Sequence, residues 1–345
     1  MQKIHTKIFL ALMVLIGFTA CKKSNNLGQD NDSVIITPHT VFAGASNGWI
    51  VNTNDGKSFN SMFPPDGSPI KMISTSGPNV LMLKSQLFLS DNGGISFNPL
   101  TFSNYNQKPW RYWVLDCANN SRVYMASKSG KGVAYSADSG RTWQEDENWQ
   151  EFTSPNVAIS SFCETEDGAV YAFSDRYNVL YRKDNTTSPW TAVTIEGEFP
   201  AISAYYLVTN SRDLYIADYN GLGGVWYSQD KGVSWTHFNN GVLPTDGSER
   251  VLGAAVGTGG TVAVATEKDV YFATNYQGFV KANTGLDKGT KVFGITSKYN
   301  RYKNGNWVPF LYLATSKGIY RSDDNGFSWD KVTFNEFDFS YPAIY

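Results

Sequence analysis

The chain has 345 residues, of which 17% are charged and 15% are aromatic, and 31 are glycines. This composition excludes a disordered polyelectrolyte, a coiled coil and a collagen. The 29 lysines and arginines against 31 aspartates and glutamates give a formal net charge of −2, so the chain lacks the basic field that drives nucleic-acid binding. We therefore expect no nucleic-acid partner.

Residues 1–20 have the pattern of an export signal. Lys3 and Lys7 lead into an apolar run over residues 8–18, which is too short to span a bilayer. The stretch Phe18-Thr19-Ala20-Cys21 resembles the lipobox of bacterial lipoproteins, with Phe18 where leucine is usual. The resemblance implies cleavage before Cys21, a lipid on Cys21 and a place in the bacterial cell envelope, at the outer membrane or on the periplasmic side. Ordinary signal cleavage, which would yield a soluble periplasmic protein, is the alternative.

Residues 21–32 are polar and nearly free of large apolar side chains. Such a segment buries too little surface to offset its ordering entropy, so it predicts a flexible tether. Folded structure is then expected over residues 33–345. We expect this domain to be a monomer that meets the membrane only through the lipid anchor.

An eight-residue motif recurs in the chain at intervals near 46 residues. Its three strongest copies begin at Ser136, Ser228 and Ser322 and share the pattern S-x-D-x-G-x-[ST]-W. Looser copies begin at Ser90 and Asn52, and decayed copies are read at Arg182, with Asp184 and Trp190, and at Thr274, with Gly278. The spacing therefore predicts seven repeats.

Each motif follows two short runs rich in β-branched and aromatic residues, such as 123–127 and 132–135, which are separated by a turn signal. A third run precedes each pair, and the aromatic residue that ends the motif opens a fourth. Four antiparallel strands at a period of 40 to 50 residues are typical of a β-propeller blade. The sequence thus predicts an all-β, seven-bladed β-propeller of four-stranded antiparallel blades.

The motif resembles the Asp box of the bacterial neuraminidase repeat family, which occurs in sialidases, sortilin-type receptors and photosystem II assembly-factor-like proteins. A short acidic side chain can accept hydrogen bonds within its own turn, and glycine permits a left-handed backbone. The resemblance places these boxes on the outer rim, away from any active centre, and implies a stabilising role. The residues concerned are Asp138, Gly140, Trp143, Asp230, Gly232, Trp235, Asp324, Gly326 and Trp329.

Two segments could supply the inner strand that closes the first blade. Residues 33–36 precede the first motif, and residues 340–345 follow the last one. We favour closure by the C-terminal segment. The repeat also places Cys117 and Cys163 on neighbouring blades, which favours two buried thiols, although a disulfide between them stays open. An insertion over residues 300–307 should lie on the face opposite the ligand-binding loops.

Ligands usually bind propellers at the face formed by the loops between blades and the turns between second and third strands. Aromatic rings beside carboxylates and arginines on these loops suit stacking on sugars and hydrogen bonding to hydroxyls. The candidate ligand-binding residues are Tyr105, Trp110, Arg111, Trp149, Arg176, Tyr177, Tyr219 and Arg250.

Metal and cofactor chemistry find little support in the sequence. Only His39 and His237 follow the signal segment, and the chain has no Cys-x-x-Cys pair. We therefore expect no metal and no cofactor.

Three functions remain. The favoured one is a noncatalytic module that binds a glycan or an envelope protein. The second is a sialidase-like exo-glycosidase, with Arg111, Arg176 and Arg250 as a clamp and an acid or base from residues 144–155. The third is an assembly or scaffold factor for an envelope complex.

Overall fold

A computed structural model describes 23 stretches of the chain between residues 34 and 332: 34–35, 41–44, 50–53, 60–62, 70, 72–76, 79–84, 86–100, 112–117, 122–127, 133–146, 149, 159–174, 177–185, 187–197, 199, 204–210, 212–221, 223–238, 243–257, 260–274, 276–302 and 307–332. These residues form 28 β-strands in seven antiparallel sheets. Within them, no helix has the length and apolarity needed to cross a membrane.

The first three repeats contain the strands β1 to β12. Repeat 1 and the segment before it form β1 (Val34–Ile35), β2 (Val41–Gly44), β3 (Ile50–Thr53) and β4 (Asn60–Met62). Repeat 2 forms β5 (Met72–Ser76), β6 (Asn79–Leu83), β7 (Leu87–Ser90) and β8 (Asn98–Pro99). Repeat 3 forms β9 (Tyr112–Cys117), β10 (Val123–Ser127), β11 (Val133–Ser136) and β12 (Gln144–Glu145).

The last four repeats contain the strands β13 to β28. Repeat 4 forms β13 (Ser161–Glu164), β14 (Val170–Ser174), β15 (Val179–Lys183) and β16 (Thr191–Ala192). Repeat 5 forms β17 (Ala204–Thr209), β18 (Leu214–Asp218), β19 (Val225–Ser228) and β20 (Thr236–His237). Repeat 6 forms β21 (Val251–Val256), β22 (Val262–Thr266), β23 (Val270–Ala273) and β24 (Val280–Lys281). Repeat 7 forms β25 (Val292–Tyr302), β26 (Trp307–Thr315), β27 (Gly318–Ser322) and β28 (Asp330–Lys331).

The prediction of seven four-stranded blades is wrong in its number. Repeats 2 to 7 each form four strands paired in chain order, here called blades 2 to 7, so there are six four-stranded blades. Repeat 1 forms a three-stranded sheet of β2, β3 and β4. Its spacing to the next motif is the shortest in the chain, and β1 joins another sheet: Val34 pairs with Tyr302 and Ile35 with Arg301. The other closing candidate, residues 340–345, lies outside the described residues.

The second strands of four blades are completely buried. The strands β6, β14, β18 and β22 are buried at every position. A strand can be buried on both faces only when its sheet is covered on both sides, and each blade covers its neighbour. Consecutive inner strands also touch, as where the Ser161 hydroxyl accepts from the Leu207 N–H at 3.2 Å. The described thiol, Cys163, is half-buried on one of these inner strands.

The antiparallel order gives the molecule two distinct faces. Turns between first and second strands, and between third and fourth strands, lie at one end of each blade, here called the box face. Turns between second and third strands, and the connections between blades, lie at the other end, here called the loop face. The long hairpin of β25 and β26 extends at the box face.

The three strongest motif copies form the same hydrogen-bonded turn on the box face. The Asp138 carboxylate accepts hydrogen bonds from the Ser136 hydroxyl at 2.8 Å and the Thr142 N–H at 2.8 Å, and the Gly140 N–H donates to the Ser136 hydroxyl oxygen at 2.7 Å. The copies at Ser228 and Ser322 repeat these bonds. Gly140 has a φ of 87°, where a side chain would be strained.

The tryptophans that end these turns are buried but find two different acceptors. The indole N–H groups of Trp143 and Trp235 donate to the glycine carbonyl of their own turns, both at 2.9 Å. In blade 7, Trp329 donates instead to the Ala282 carbonyl of blade 6 at 2.8 Å. The last turn therefore also joins two blades.

Strand register corrects the reading of the two decayed copies. In repeat 4, Lys183 rather than Arg182 pairs with the start of the second strand, where the other repeats have serine. The turn acceptor is accordingly Asn185, not Asp184, and it accepts from the Ser188 N–H at 2.9 Å. In repeat 6 the turn begins one residue earlier than predicted, at Ala273.

A buried ion pair joins blades 3 and 4. The Lys183 ammonium lies 2.5 Å from the Asp146 carboxylate, and both side chains are 1% exposed. The same carboxylate oxygen accepts a hydrogen bond from the Trp190 indole N–H at 2.9 Å. Tyr135 packs beside the pair, with its ring centroid 5.7 Å from the ammonium. The charges are thus enclosed by aromatic side chains and depend on each other.

We predict that Asp146→Ala lowers the unfolding free energy by about 3 to 5 kcal/mol, because it leaves Lys183 charged and buried without this partner. The double variant Asp146→Leu with Lys183→Met should lose less than Asp146→Ala alone, since no lone charge remains. Chemical denaturation of the two variants and the native chain measures both values. A double variant as unstable as the single one would contradict this reading.

Acid should destabilise the fold through the box turns. Burial opposes ionisation of Asp138 and Asp230, but hydrogen bonds from Thr142 and Ser234 outweigh it and lower the pKa of each carboxyl. Because the folded pKa lies below the unfolded one, this stabilisation is present above the usual pKa and is lost as the pH falls towards the folded value. We expect the unfolding free energy to fall below about pH 4, and the fall to be shallower in the Asp138→Asn and Asp230→Asn variants. Denaturation at several pH values tests this, and equal slopes would contradict it.

Candidate functional site

Four of the eight predicted ligand-binding residues lie in described parts of the chain: Trp149, Tyr177, Tyr219 and Arg250. Tyr105, Trp110, Arg111 and Arg176 lie outside them. The three-arginine clamp of the glycosidase hypothesis is therefore represented by Arg250 alone.

Trp149 does not present a face to ligands, which corrects its prediction as a binding residue. Its side chain is 5% exposed. The ring makes edge contacts with Tyr181 at 5.2 Å and Trp190 at 5.3 Å between centroids. Asp146 of the same loop is equally buried in the ion pair with Lys183, so it is not available as an acid or base for a substrate.

Tyr177 is an exposed aromatic residue on the loop face. It lies in the turn between β14 and β15, and it is 43% exposed. The following residue, Asn178, has a positive φ of 54°, a conformation that asparagine tolerates better than most residues. The turn therefore holds the tyrosine at the surface of blade 4.

An exposed polar group on the loop face is built from three separate segments of blades 5 and 6. Tyr219 comes from the turn between β18 and β19, Arg250 from the connection between the blades, and Glu267 from the turn between β22 and β23. The Arg250 guanidinium donates to the Tyr219 hydroxyl oxygen at 3.2 Å and lies 3.3 Å from the Glu267 carboxylate. Its centre is 6.0 Å from the centroid of the Tyr219 ring.

These contacts leave the arginine charged and accessible. The hydrogen bond with Tyr219, together with the negative charge of Glu267, raises the pKa of Arg250. The Arg250 side chain remains 56% exposed and that of Glu267 40% exposed. The group thus offers a permanent cation, a phenol ring and a carboxylate to a partner from solution.

A buried layer beneath this group holds the three segments in place. The Asp218 carboxylate, 2% exposed, accepts hydrogen bonds from the N–H groups of Asn220 at 3.1 Å and Gly223 at 2.6 Å. The Val251 N–H donates to the Tyr219 carbonyl at 2.9 Å. The turn of blade 5 is therefore closed by its own carboxylate and tied to the first strand of blade 6.

Glu249 makes the corresponding link to the turn of blade 6. Its carboxylate accepts from the Thr266 hydroxyl at 2.5 Å and lies 3.7 Å from the Lys268 ammonium. The Lys268 ammonium also donates to the Ser248 carbonyl at 3.3 Å. Glu249 is nearly buried whereas Lys268 is exposed, so the lysine adds a second accessible cation beside Arg250.

Sequence reasoning found Tyr219 and Arg250 but missed Glu249, Glu267 and Lys268. A usable signal existed, because the repeat places residues 267–268 in the turn between second and third strands. Among the described residues, no group of three or more histidine, cysteine, aspartate or glutamate side chains could hold a metal ion. The arrangement suits binding by charge and aromatic contact.

Comparisons with known proteins support the architecture. Among solved structures, YCF48 bound to a D1 peptide matches at 14% identity with a TM-score of 0.57, covering 84% of this chain and 91% of that one. Virginiamycin B lyase from Staphylococcus aureus matches at 14% identity with a TM-score of 0.60, covering 81% and 93%. The chain has a β-propeller fold. Similarity at this identity is evidence of the fold alone.

A third similar structure is PorZ, a surface component of the type-IX secretion system of Porphyromonas gingivalis. It matches at 13% identity with a TM-score of 0.58, and the match covers 86% of this chain but 37% of PorZ. No protein-family model and no curated protein matches the sequence. The propeller's function therefore has to be argued from its own surface.

The close contact at Gly221 should make this position sensitive to substitution. A Cβ on Gly221 would lie 2.1 Å from the Glu249 carbonyl oxygen, and its φ is +70°. Gly197 is a matched control, because its φ is +83° but nothing lies within 4 Å of its Cβ position. We predict that Gly197→Ala costs about 1 to 2 kcal/mol for the left-handed backbone and that Gly221→Ala costs clearly more. Chemical denaturation measures both, and equal losses would contradict the described packing.

Proposed function

We propose that this chain is a noncatalytic protein-binding propeller, anchored by lipid in the bacterial cell envelope, that receives its partner on the loop face of blades 5 and 6. The observation that carries the proposal is the group of Tyr219, Arg250 and Glu267, which three segments bring together at an exposed position. Tyrosine and arginine are the residue types enriched among binding hot spots. Their placement over a buried, hydrogen-bonded layer gives a pre-ordered contact surface.

A protein partner is favoured over a glycan by two observations. Trp149, one of the aromatic residues expected to stack on sugar rings, is buried in the core. In addition, the similar YCF48 propeller binds a D1 peptide. A partner with both acidic and basic side chains would complement Arg250, Lys268 and Glu267. This also fits a scaffold or assembly role in an envelope complex.

Membership of the Asp-box family is part of this proposal. It is supported by the motif copies at Ser136, Ser228 and Ser322 and by the matching turn hydrogen bonds in each. These turns use their carboxylates internally. The proposal therefore assigns them to stability and leaves recognition to the loop face.

The binding proposal predicts a loss of partner capture when the exposed group is removed. Cross-linking in native envelope membranes would compare three full-length proteins. These are the native chain, the double variant Tyr219→Ala with Arg250→Ala, and the single variant Arg212→Ala. Arg212 is the matched control, because its side chain is 80% exposed on the box face. We expect the double variant to lose about tenfold in cross-linked partner, which corresponds to about 1.4 kcal/mol, and Arg212→Ala to behave as the native chain.

Two further assays separate this proposal from its alternatives. Equal capture by all three proteins would contradict the loop-face assignment. A glycan array with specific hits that Tyr219→Ala abolishes would favour the glycan-binding module, and release of fluorophore from a sialoside would favour the glycosidase. The protein-binding proposal expects neither signal.

The lipid anchor makes its own prediction about Cys21, which lies outside the described residues. The mature native chain should begin at Cys21 and carry an acyl adduct in intact-mass spectrometry, whereas Cys21→Ser should carry none. The native chain should also partition into the detergent phase of a phase-separation assay. A native chain without an adduct would contradict the anchor.

A further inference from the structure

The hairpin of β25 and β26 is longer than its counterparts in the other blades. First strands elsewhere have four to six residues, whereas β25 has 11 and β26 has nine. Pairing continues from Val292 with Thr315 to Arg301 with Trp307. The extra residues, 298–302 against 307–310, make the hairpin extend by about 14 Å at roughly 3.4 Å per residue. By the strand order, this extension projects at the box face.

The base of the extended hairpin is packed against its own blade. Phe310 is 8% exposed, and the Arg321 guanidinium lies 5.1 Å from the centroid of its ring. Two further strands flank the hairpin, β1 on one side and β27 on the other. The projecting strands therefore continue the sheet of blade 7, with β27 beside the base at 311–315 and β1 beside the far end at 301–302.

The chain that comes from Cys21 reaches the folded domain at this hairpin. The pairing of Val34 with Tyr302 and of Ile35 with Arg301 places β1 at the far end of β25. Twelve residues separate Cys21 from Val34. Fully extended they span about 40 Å, and as a flexible chain about 20 Å. A membrane that holds Cys21 is therefore within reach of the projecting hairpin, and the loop face lies at the other end of the blades.

The residues of the projecting strands have the composition of a membrane interface. They include Tyr299, Tyr302 and Trp307 together with Lys298 and Arg301, and no acidic residue lies between 298 and 310. Tyrosine and tryptophan are enriched at the headgroup level of bilayers, and each lysine or arginine near an anionic surface strengthens binding about fivefold. In the neighbouring turn of the same face, Phe327 is 53% exposed.

We propose that the projecting hairpin rests in the headgroup region of the membrane that carries the anchor, so that the loop face points away from the bilayer towards its partner. This inference rests on the lipid anchor of the proposed function. Anchor and hairpin together give two points of attachment, which restrict the orientation of the propeller more than the anchor alone does. In this orientation, the box face of blade 7 contacts the lipid surface.

Fluorescence quenching can locate the two faces relative to the membrane. The full-length lipidated protein, with Cys117→Ala and Cys163→Ala, would carry a fluorophore at Asn300→Cys on the hairpin or at Thr245→Cys on the loop face. Each protein is reconstituted in vesicles of equal parts phosphatidylethanolamine and phosphatidylglycerol that contain a headgroup-nitroxide lipid. We expect severalfold stronger quenching at position 300 than at position 245. Equal quenching, or stronger quenching at 245, would overturn the proposal.

Two variants of the labelled protein separate hairpin contact from simple proximity. Arg301→Gln with Trp307→Ser should reduce quenching at position 300 to near that at position 245, whereas Arg212→Gln, on the same face of blade 5, should leave it unchanged. If the hairpin variant and Arg212→Gln changed the quenching equally, a specific hairpin contact would be contradicted. Quenching at position 300 that required a second protein would also contradict it. Intact-mass spectrometry of the same samples tests the lipid anchor independently. A chain without an acyl adduct would contradict the anchor. An acylated chain with equal quenching at positions 300 and 245 would contradict only the proposed orientation.

Discussion

The burial of each blade between its neighbours is the constraint on which the structure depends. A single four-stranded sheet of this size has two apolar faces and cannot bury both alone. The second strands β6, β14, β18 and β22 are buried at every position, which is possible only with a blade on either side. The buried pair of Lys183 and Asp146 and the bond from Trp329 to blade 6 extend the same dependence to the outer strands. Each blade is therefore folded only as part of the assembly.

This dependence also explains why the candidate site can be rigid although it lies on loops. Tyr219, Arg250 and Glu267 come from three segments of two blades, and every contact among them joins different segments. Their relative positions follow from the packing of blades 5 and 6. Below them, Asp218 and Glu249 use their carboxylates to close the turns. The exposed groups are thus held by buried ones, while the carboxylates of the box turns accept hydrogen bonds within their own turns.

The sequence predicted the local structure well where a feature depends on residues close in the chain. The strand runs, the four-strand repeat and the box turns at Asp138, Asp230 and Asp324 all follow from short patterns of alternation, glycine and short polar side chains. Tyr219 and Arg250 were found because repeat position places them on the loop face. The prediction failed where distant residues decide. Nothing near Trp149 or Asp146 in the chain shows that Tyr181, Lys183 and Trp190 will enclose them. The pairing of β1 with β25 likewise depends on an insertion more than 260 residues away.

Native-state hydrogen exchange tests the central claim that the blades form one interdependent unit. It would follow the backbone amides of β6, β14, β18 and β22 across low denaturant concentrations. The account predicts that these four strands, in four different blades, exchange through the same opening, with one free energy and one denaturant slope. Exchange of separate blades with distinct free energies and slopes, as in a linear array of repeats, would contradict it.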